Sequence, residues 1–141
     1  MARRLVYKGS LNGTGQIFRE FLVNDNQTLY RGDVVVFSSN KISAAADAAA
    51  AGTVAGVCNT DIVTTTATAT DLVMVDINPA SIYEIVHTGT ATPAYPNKYD
   101  FATAPYTMDS DDTTDGFIQV VGGVTSTTAD VILCNRAFGM A

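Results

Sequence analysis

The sequence YRGDVVVF, at residues 30–37, is the most informative about the fold. Its first half contains Arg31-Gly32-Asp33, where the glycine permits the backbone angles of a tight turn. Its second half, Val34 to Phe37, is apolar at every position, so neither face of a strand built from it would suit water. These residues therefore predict a turn that leads into a central strand.

Turn residues followed by β-branched strands recur along the rest of the chain. Asn24-Asp25-Asn26 ends one such segment, and Asn78-Pro79 separates two others because proline lacks the backbone donor of a strand. We predict further strands over 16–23, 51–57, 71–77, 81–87, 116–121 and 129–135, the last two as a hairpin. Residues 44–51 suit either two helical turns or an ordered loop, and residues 64–70 suit an edge strand or a loop.

The composition indicates one all-β domain. The 141 residues are enough to bury a core, and 47% of them are apolar against 16% charged. Asp outnumbers Glu twelve to two, whereas threonine and valine, which favour strands, number nineteen and fifteen. We therefore expect residues 1–141 to form a single β domain.

The charge of the chain argues against nucleic-acid binding, because its net charge is −6 and phosphate binding is built on clustered basic residues. Arg3 and Arg4 are the one adjacent basic pair and suit either a solvated terminus or an anionic surface. Residues 1–8 lack the apolar core of a signal peptide, and no apolar run reaches the length of a membrane span. We expect a protein made in a reducing cytoplasm, with Cys58 and Cys134 as thiols or, if their strands adjoin, a disulfide.

Two motifs resemble binding sites but have simpler explanations. Arg31-Gly32-Asp33 spells the tripeptide that integrins recognise on exposed loops, yet here it leads straight into a strand and is better explained as a turn. The acidic run at residues 109–116 resembles a calcium loop. Counting from Asp109, however, places Thr114 where glycine is needed and Val120 where glutamate is needed. We expect a solvated acidic loop, with a weak calcium site as the alternative.

No combination of residues predicts a catalytic, cofactor-binding or metal site. His87 is the single histidine, and Glu84, three positions before it, would lie on the opposite face of a strand. One histidine and two distant cysteines cannot supply the four ligands of a zinc site. We therefore expect no enzyme activity and no cofactor. Convergence of Cys58, Cys134 and His87 in one pocket would instead favour a small hydrolase or a metal-dependent enzyme.

Residues 93–108 form a segment rich in tyrosine and proline, with Lys98 and Asp100 as its charges. Tyrosine offers an apolar face with a polar tip, and proline limits the entropy that is lost on docking. Both properties suit a protein interface. A long loop that covers the open end of a barrel is an equal alternative.

The order of these elements resembles that of the phage head decoration proteins, also called capsid cement proteins. The similarity lies in GDVVVF at 32–37, the alanine-rich spacer, AGTVAGV at 51–57 and DGFIQVVGGVTSTTADVILCNRAF at 115–138. This resemblance implies a small β-barrel or β-tulip domain on the outer surface of an icosahedral phage capsid. It also implies that the partner is the major capsid protein, whose neighbouring subunits the domain would clamp.

We accordingly expect a structural virion protein with an extended N-terminal arm at 1–15, a barrel at 16–141, and a dimer or trimer on the shell. The predicted contact residues come from the arm and from the segment rich in tyrosine and proline: Arg3, Arg4, Leu5, Tyr7, Tyr95, Tyr99, Phe101 and Tyr106. The arm would lie along a capsid subunit or pair with the edge of its sheet. The alternative is a virion attachment or fibre-base module that binds host glycan or protein through residues 93–108.

Overall fold

A computed structural model describes residues 4–45, 52–102, 106–114 and 116–138 of the chain. Within those ranges every regular element is a β-strand, which confirms the all-β prediction. The strands are β1 (Val6–Ser10), β2 (Phe18–Leu22), β3 (Thr28–Leu29), β4 (Val34–Ser38), β5 (Lys41–Ala44), β6 (Val54–Cys58), β7 (Ile62–Val63), β8 (Leu72–Asp76), β9 (Ser81–Thr88), β10 (Lys98–Phe101), β11 (Thr107–Asp109), β12 (Ile118–Gly122) and β13 (Thr128–Leu133).

Five of these strands close into a barrel. The order β9-β11-β10-β12-β13 returns to its start because β13 pairs antiparallel with β9, from Thr128 opposite Val86 to Val131 opposite Tyr83. On the other edge of β9, β1 pairs antiparallel with the first half and β11 runs parallel to the second half. The prediction of a small β-barrel is thereby confirmed.

A second sheet has the strand order β2-β8-β6-β4-β5, and its middle strands are packed on both faces. Val34 shares one core with Ile85 and Phe117 of the barrel, whereas Val35 belongs to a second core with Val73. Both valines are fully buried. The prediction that this strand is central is confirmed, and the unbroken valine run follows from it, since neither face meets water.

The turn predicted at Arg31-Gly32-Asp33 is present. Gly32 has a φ of 95°, and a Cβ atom there would lie 2.7 Å from the Arg4 Cβ and 2.8 Å from the Leu5 carbonyl oxygen. Glycine is therefore required both for its backbone angle and for space. Asp33 is 2% exposed, so the tripeptide is not displayed in the way that integrin recognition needs.

The other strand predictions match the structure, although only the tertiary fold pairs the strands. β12 and β13 form the predicted antiparallel hairpin. Residues 64–70 form a loop, which the Thr64 hydroxyl holds by donating to the Asn24 carbonyl and accepting from the Gln27 amide. Of the segment 44–51, Ala44 ends β5, and residues 46–51 lie outside the described residues.

The expectation of an extended arm at residues 1–15 is wrong for the described part of it. Leu5 is buried in the barrel core, and β1 is a strand of the barrel sheet, from Val6 opposite Glu84 to Ser10 opposite Ser81. The physical reason is that this segment carries apolar side chains which the barrel core uses. A register shift between Tyr7 and Gly9 lets the strand follow the twist of β9.

Candidate functional site

Arg4, a predicted capsid contact, is mostly buried and held against the fold, with 15% of its side chain exposed. Its Nε donates to Asp33 Oδ1 at 2.8 Å, and its guanidinium carbon lies 4.4 Å from the ring centre of Tyr30 and 4.3 Å from that of Tyr106. A cation between two aromatic faces gains electrostatic energy from both. Burial raises the pKa of Asp33, although the Tyr30 amide and Arg4 act in the opposite direction. Arg4 and Tyr106 therefore anchor the segment before β1 rather than reach outward.

Three further predicted contact residues prove to be core residues, a position that does not suit direct contact with a partner. Leu5, Tyr99 and Phe101 are between 2% and 6% exposed. Tyr99 and Phe101 belong to β10, and Phe101 packs edge-on against Phe117 with ring centres 5.1 Å apart. The segment at 93–108 thus contributes β10 and the start of β11 to the barrel wall.

The other predicted contact residues have different positions. Tyr7 is half-buried and packs edge-on against Tyr83 with ring centres 5.7 Å apart. Tyr95 is 68% exposed and is the most exposed of the described members of the set. Arg3 lies outside the described residues.

A concave site lies between β1, the Gly32 turn and the end of β6, with a cavity of about 420 Å³. Its lining includes Leu5 and Val57 as apolar groups and Gln16 and Asn59 as polar ones. The Cys58 thiol also lines it and donates to the Thr60 carbonyl at 3.1 Å. Burial raises the pKa of Cys58, which keeps the thiol protonated and a poor nucleophile.

A buried polar network borders this cavity and ties the barrel to the second sheet. The Tyr83 hydroxyl donates to Asp76 Oδ2 at 2.6 Å and accepts from Gln16 Nε2 at 3.0 Å. Asp76 Oδ1 accepts from the Ile17 and Asn78 amides. Burial and the neighbouring Asp76 raise the pKa of Tyr83 far above its usual value, so the phenol stays neutral. The Tyr83 hydroxyl and the Asp76 carboxylate are thus bonded to other parts of the fold, which indicates a structural role.

The structure does not bring together the three residues that would have favoured an enzyme. Cys134 Sγ lies 3.7 Å from Gln119 Oε1, and His87 Nε2 lies 3.0 Å from the Thr125 carbonyl. Cys58, Cys134 and His87 line three different cavities. Both cysteines are free thiols, so the disulfide alternative is not realised.

In the acidic loop, one carboxylate serves as a cap for the neighbouring backbone. Asp111 accepts hydrogen bonds from the Thr90 amide at 2.8 Å and the Ala91 amide at 2.9 Å, and these lower the pKa of Asp111. In the part of the chain that the structure describes, no three His, Cys, Asp or Glu residues lie together as metal ligands would. Asp115, in the same loop, is outside that part.

A surface that local sequence patterns do not reveal is the stripe formed by Phe18, Leu22 and Leu72 on the face of β2 and β8 opposite the second core, where Glu20 lies between Phe18 and Leu22. Leu22 lies directly opposite Leu72 in the pairing, and Phe18 lies four residues earlier on the same face of β2. The three side chains are 37–38% exposed. Isolated exposed apolar residues are ordinary, but three on one face beside a sheet edge suggest a contact surface.

The stripe exists because β2 is the outermost strand of its sheet. The odd-numbered residues Phe21 and Val23 face the second core, so the even-numbered residues share the opposite face, on which Asp76, opposite Phe18, is bonded to Tyr83 of the barrel. By residue type, Phe18 and Leu22 look like core residues. The feature of the sequence that indicates their exposure is the charged pair Arg19-Glu20 between them, because such a pair is unusual in a strand buried on both faces.

Comparison with models of known protein families and with curated proteins found no match to this chain. A search of the described residues for a helix long and apolar enough to span a membrane found none.

Proposed function

We propose that this chain is a structural virion protein that binds the outer surface of an icosahedral phage capsid and bridges its major capsid proteins. The observation that carries the proposal is the stripe of Phe18, Leu22 and Leu72 beside an open sheet edge. The order of the GDVVVF strand, the alanine-rich spacer and the late hairpin supports it through its resemblance to decoration proteins. The contact surface in this proposal is the stripe, not the N-terminal segment.

The physics of a shell suits a weak contact of this kind. Fully burying one such side chain contributes about 1.5–3 kcal/mol. Covering the exposed third of three side chains therefore contributes roughly 2 kcal/mol. That gain is small for one copy but recurs at every equivalent site of a symmetric shell. The net charge of −6 favours the outer surface over the DNA-filled interior.

The test is to mix the purified protein with mature shells that lack it and to measure the bound ratio and the heat resistance of the shells. We expect binding at a fixed ratio and a higher temperature of shell disruption. Leu22→Asp should weaken binding by about tenfold or more, because it places a charge in the contact. Val63→Asp is the matched control, since Val63 is 70% exposed and lies on β7, which belongs to a different sheet from β2 and β8.

Two results would contradict the proposal. One is the absence of binding to shells, and the other is an equal effect of the Leu22 and Val63 substitutions.

Tyr95 favours a second candidate, a virion attachment or fibre-base module that binds host glycan or protein. This aromatic ring is 68% exposed beside Pro96, in a loop that Gln119 Nε2 holds through the Pro96 carbonyl at 3.2 Å. An exposed aromatic ring on a fixed loop suits the apolar face of a sugar or a protein surface. Binding to a glycan array that Tyr95→Ser abolishes would support this function over the first.

A further inference from the structure

We infer that the open edge of β2 binds an extended strand of another protein. The hydrogen bonds between β2 and β8 identify which backbone groups are available. The Ile77 amide donates to the Ile17 carbonyl at 2.8 Å, and the Val23 amide donates to the Asp71 carbonyl at 3.1 Å. Since bonded residues alternate in an antiparallel pair, the odd-numbered residues of β2 point their backbone groups at β8. The backbone groups of Phe18 and Glu20 therefore point away from the sheet.

Among the residues that the structure describes, none pairs with that edge along its first half. β2 ends the strand order of its sheet, and β5 approaches it at Val23, where a parallel bridge joins Val23 to Ile42. Phe18, Arg19 and Glu20 are all exposed, which means that this half of the strand meets water on both faces as well as along its edge. Exposed backbone donors and acceptors in such a row are a template for strand addition.

A second copy of the chain fits this edge poorly. Antiparallel pairing of two β2 strands with their outward backbone groups facing each other allows registers centred on Arg19 or on Glu20. The first puts Arg19 opposite its own copy and the second puts Glu20 opposite its own copy, and like charges directly opposite are destabilising. A register centred on Phe18 leaves Phe18 as the one residue of β2 that is opposite β2 of the other copy. Registers centred beyond Glu20 bring the second copy to β5, which approaches the edge at Val23.

The side chains of the edge specify a different occupant. Neither Arg19 nor Glu20 forms an ion pair within the described residues. A complementary strand carries lysine or arginine opposite Glu20, an acidic residue opposite Arg19 and an apolar residue opposite Phe18. Each opposite-charge or apolar cross-strand pair then adds to the backbone hydrogen bonds. In the proposed function this strand belongs to the major capsid protein. The inference depends on the proposed function only for the source of the strand.

The experiment uses isotope-labelled protein and a blocked synthetic peptide, Thr-Val-Lys-Glu-Val-Thr, followed by NMR. We expect amide shifts confined to residues 17–21. A peptide with glutamate in place of lysine should bind about fivefold more weakly, and Glu20→Lys in the protein should reverse that preference. Absence of shifts at Phe18 and Glu20, or equal binding of both peptides, would overturn the inference and assign the two charges to protection of the edge.

Glu20→Pro tests the backbone role directly. Proline at this position removes a donor that faces outward, so the bonds of Arg19 and Phe21 to β8 remain and the fold should persist. Unchanged shifts of Val73 and Val75 check this, and peptide binding should be lost. If the Glu20→Pro protein binds shells as the unmodified protein does, the edge inference fails and the capsid function stands. If the peptide binds but shells do not, the capsid function fails and the edge inference stands.

Discussion

Gly56 shows at the scale of one residue how closely the central strands approach each other. Its φ is 149°, and a Cβ atom there would overlap the carbonyl oxygen of Asp76 on β8. Gly9 has nearly the same φ, 147°, but a Cβ atom on it would have no neighbour within 4 Å. Substituting each glycine in turn therefore separates the free-energy cost of the backbone angle from the free-energy cost of the overlap.

We predict that Gly56→Ala destabilises the protein by about 1–3 kcal/mol more than Gly9→Ala does, because only the first substitution adds a clash to the backbone strain. Urea unfolding of both variants followed by circular dichroism measures the difference. Equal losses for the two variants would show that the strands move apart at little cost.

Tyr83 makes the stability of the protein depend on alkaline pH. Burial, followed by the hydrogen bond to Asp76, raises the pKa of Tyr83 in the folded state above its usual value near 10. A raised folded pKa gives stability that is complete below the unfolded pKa and is lost as pH rises above it. We therefore predict that the free energy of unfolding falls above about pH 10, by up to about 1.4 kcal/mol per pH unit from this group.

The matched variant is Tyr83→Phe, measured by urea unfolding between pH 9 and 11.5. It should be less stable at neutral pH by about 1–2 kcal/mol, because Asp76 and Gln16 lose a hydrogen-bond partner. Above pH 10 the free energy of unfolding of this variant should approach that of the unmodified protein. Burial also raises the pKa of Cys58 and Cys134, so both proteins should share an earlier decline from the thiols. Parallel curves above pH 10 would contradict the role of Tyr83.

At the scale of the element, β1 decides whether the N-terminal segment is an arm or part of the fold. It pairs with β9, while Leu5 just before it belongs to the barrel core. Ten residues at a chain end could be removed from an arm without loss of stability. They cannot be removed from a sheet without exposing the edge and core that they cover.

We predict that deletion of residues 1–10 lowers the melting temperature by more than about 10 °C or abolishes the cooperative transition, since burying Leu5 alone contributes about 2 kcal/mol or more. Deletion of residues 1–3, which keeps Leu5 and β1, is the control. A melting temperature that is the same for both deletions would restore the interpretation of this segment as an arm.

At the scale of the whole molecule, two cores share one layer of strands. On β4, Val34 faces the core that includes the barrel interior, and Val35 faces the core of the second sheet. Because the shared strand cannot leave one core without leaving the other, the two cores should unfold together.

We predict that Val34→Ala and Val35→Ala each lower the free energy of unfolding by about 2 kcal/mol and leave a single transition. Amide exchange at Ile85 of the first core and Val75 of the second core, both fully buried, reports on each core separately. The exchange rates of both amides should rise or fall together in every variant. A variant that speeds exchange in one core alone would show that the cores are independent units.

The all-β class, the Gly32 turn, the central strand after it and the late hairpin could all be predicted from the order of residues. These features depend on local properties, namely turn chemistry, β-branching and the apolar character of neighbouring positions, which are present in any short window of the chain. The sequence did not determine which apolar residues are buried. Tyr99 and Phe101 look like interface residues and lie in the core, whereas Phe18, Leu22 and Leu72 look like core residues and are exposed.

Which apolar residues are buried follows from the tertiary fold, because burial depends on which strand lies beside which. β10 is enclosed between β11 and β12 of a closed barrel, and β2 is left at the end of its sheet. Such neighbours are brought together from distant parts of the chain, so no local pattern contains them. For the same reason the N-terminal segment, which pairs with β9, is not the candidate contact surface. That surface is the edge of β2 along Phe18 and Glu20, which nothing in the described chain covers.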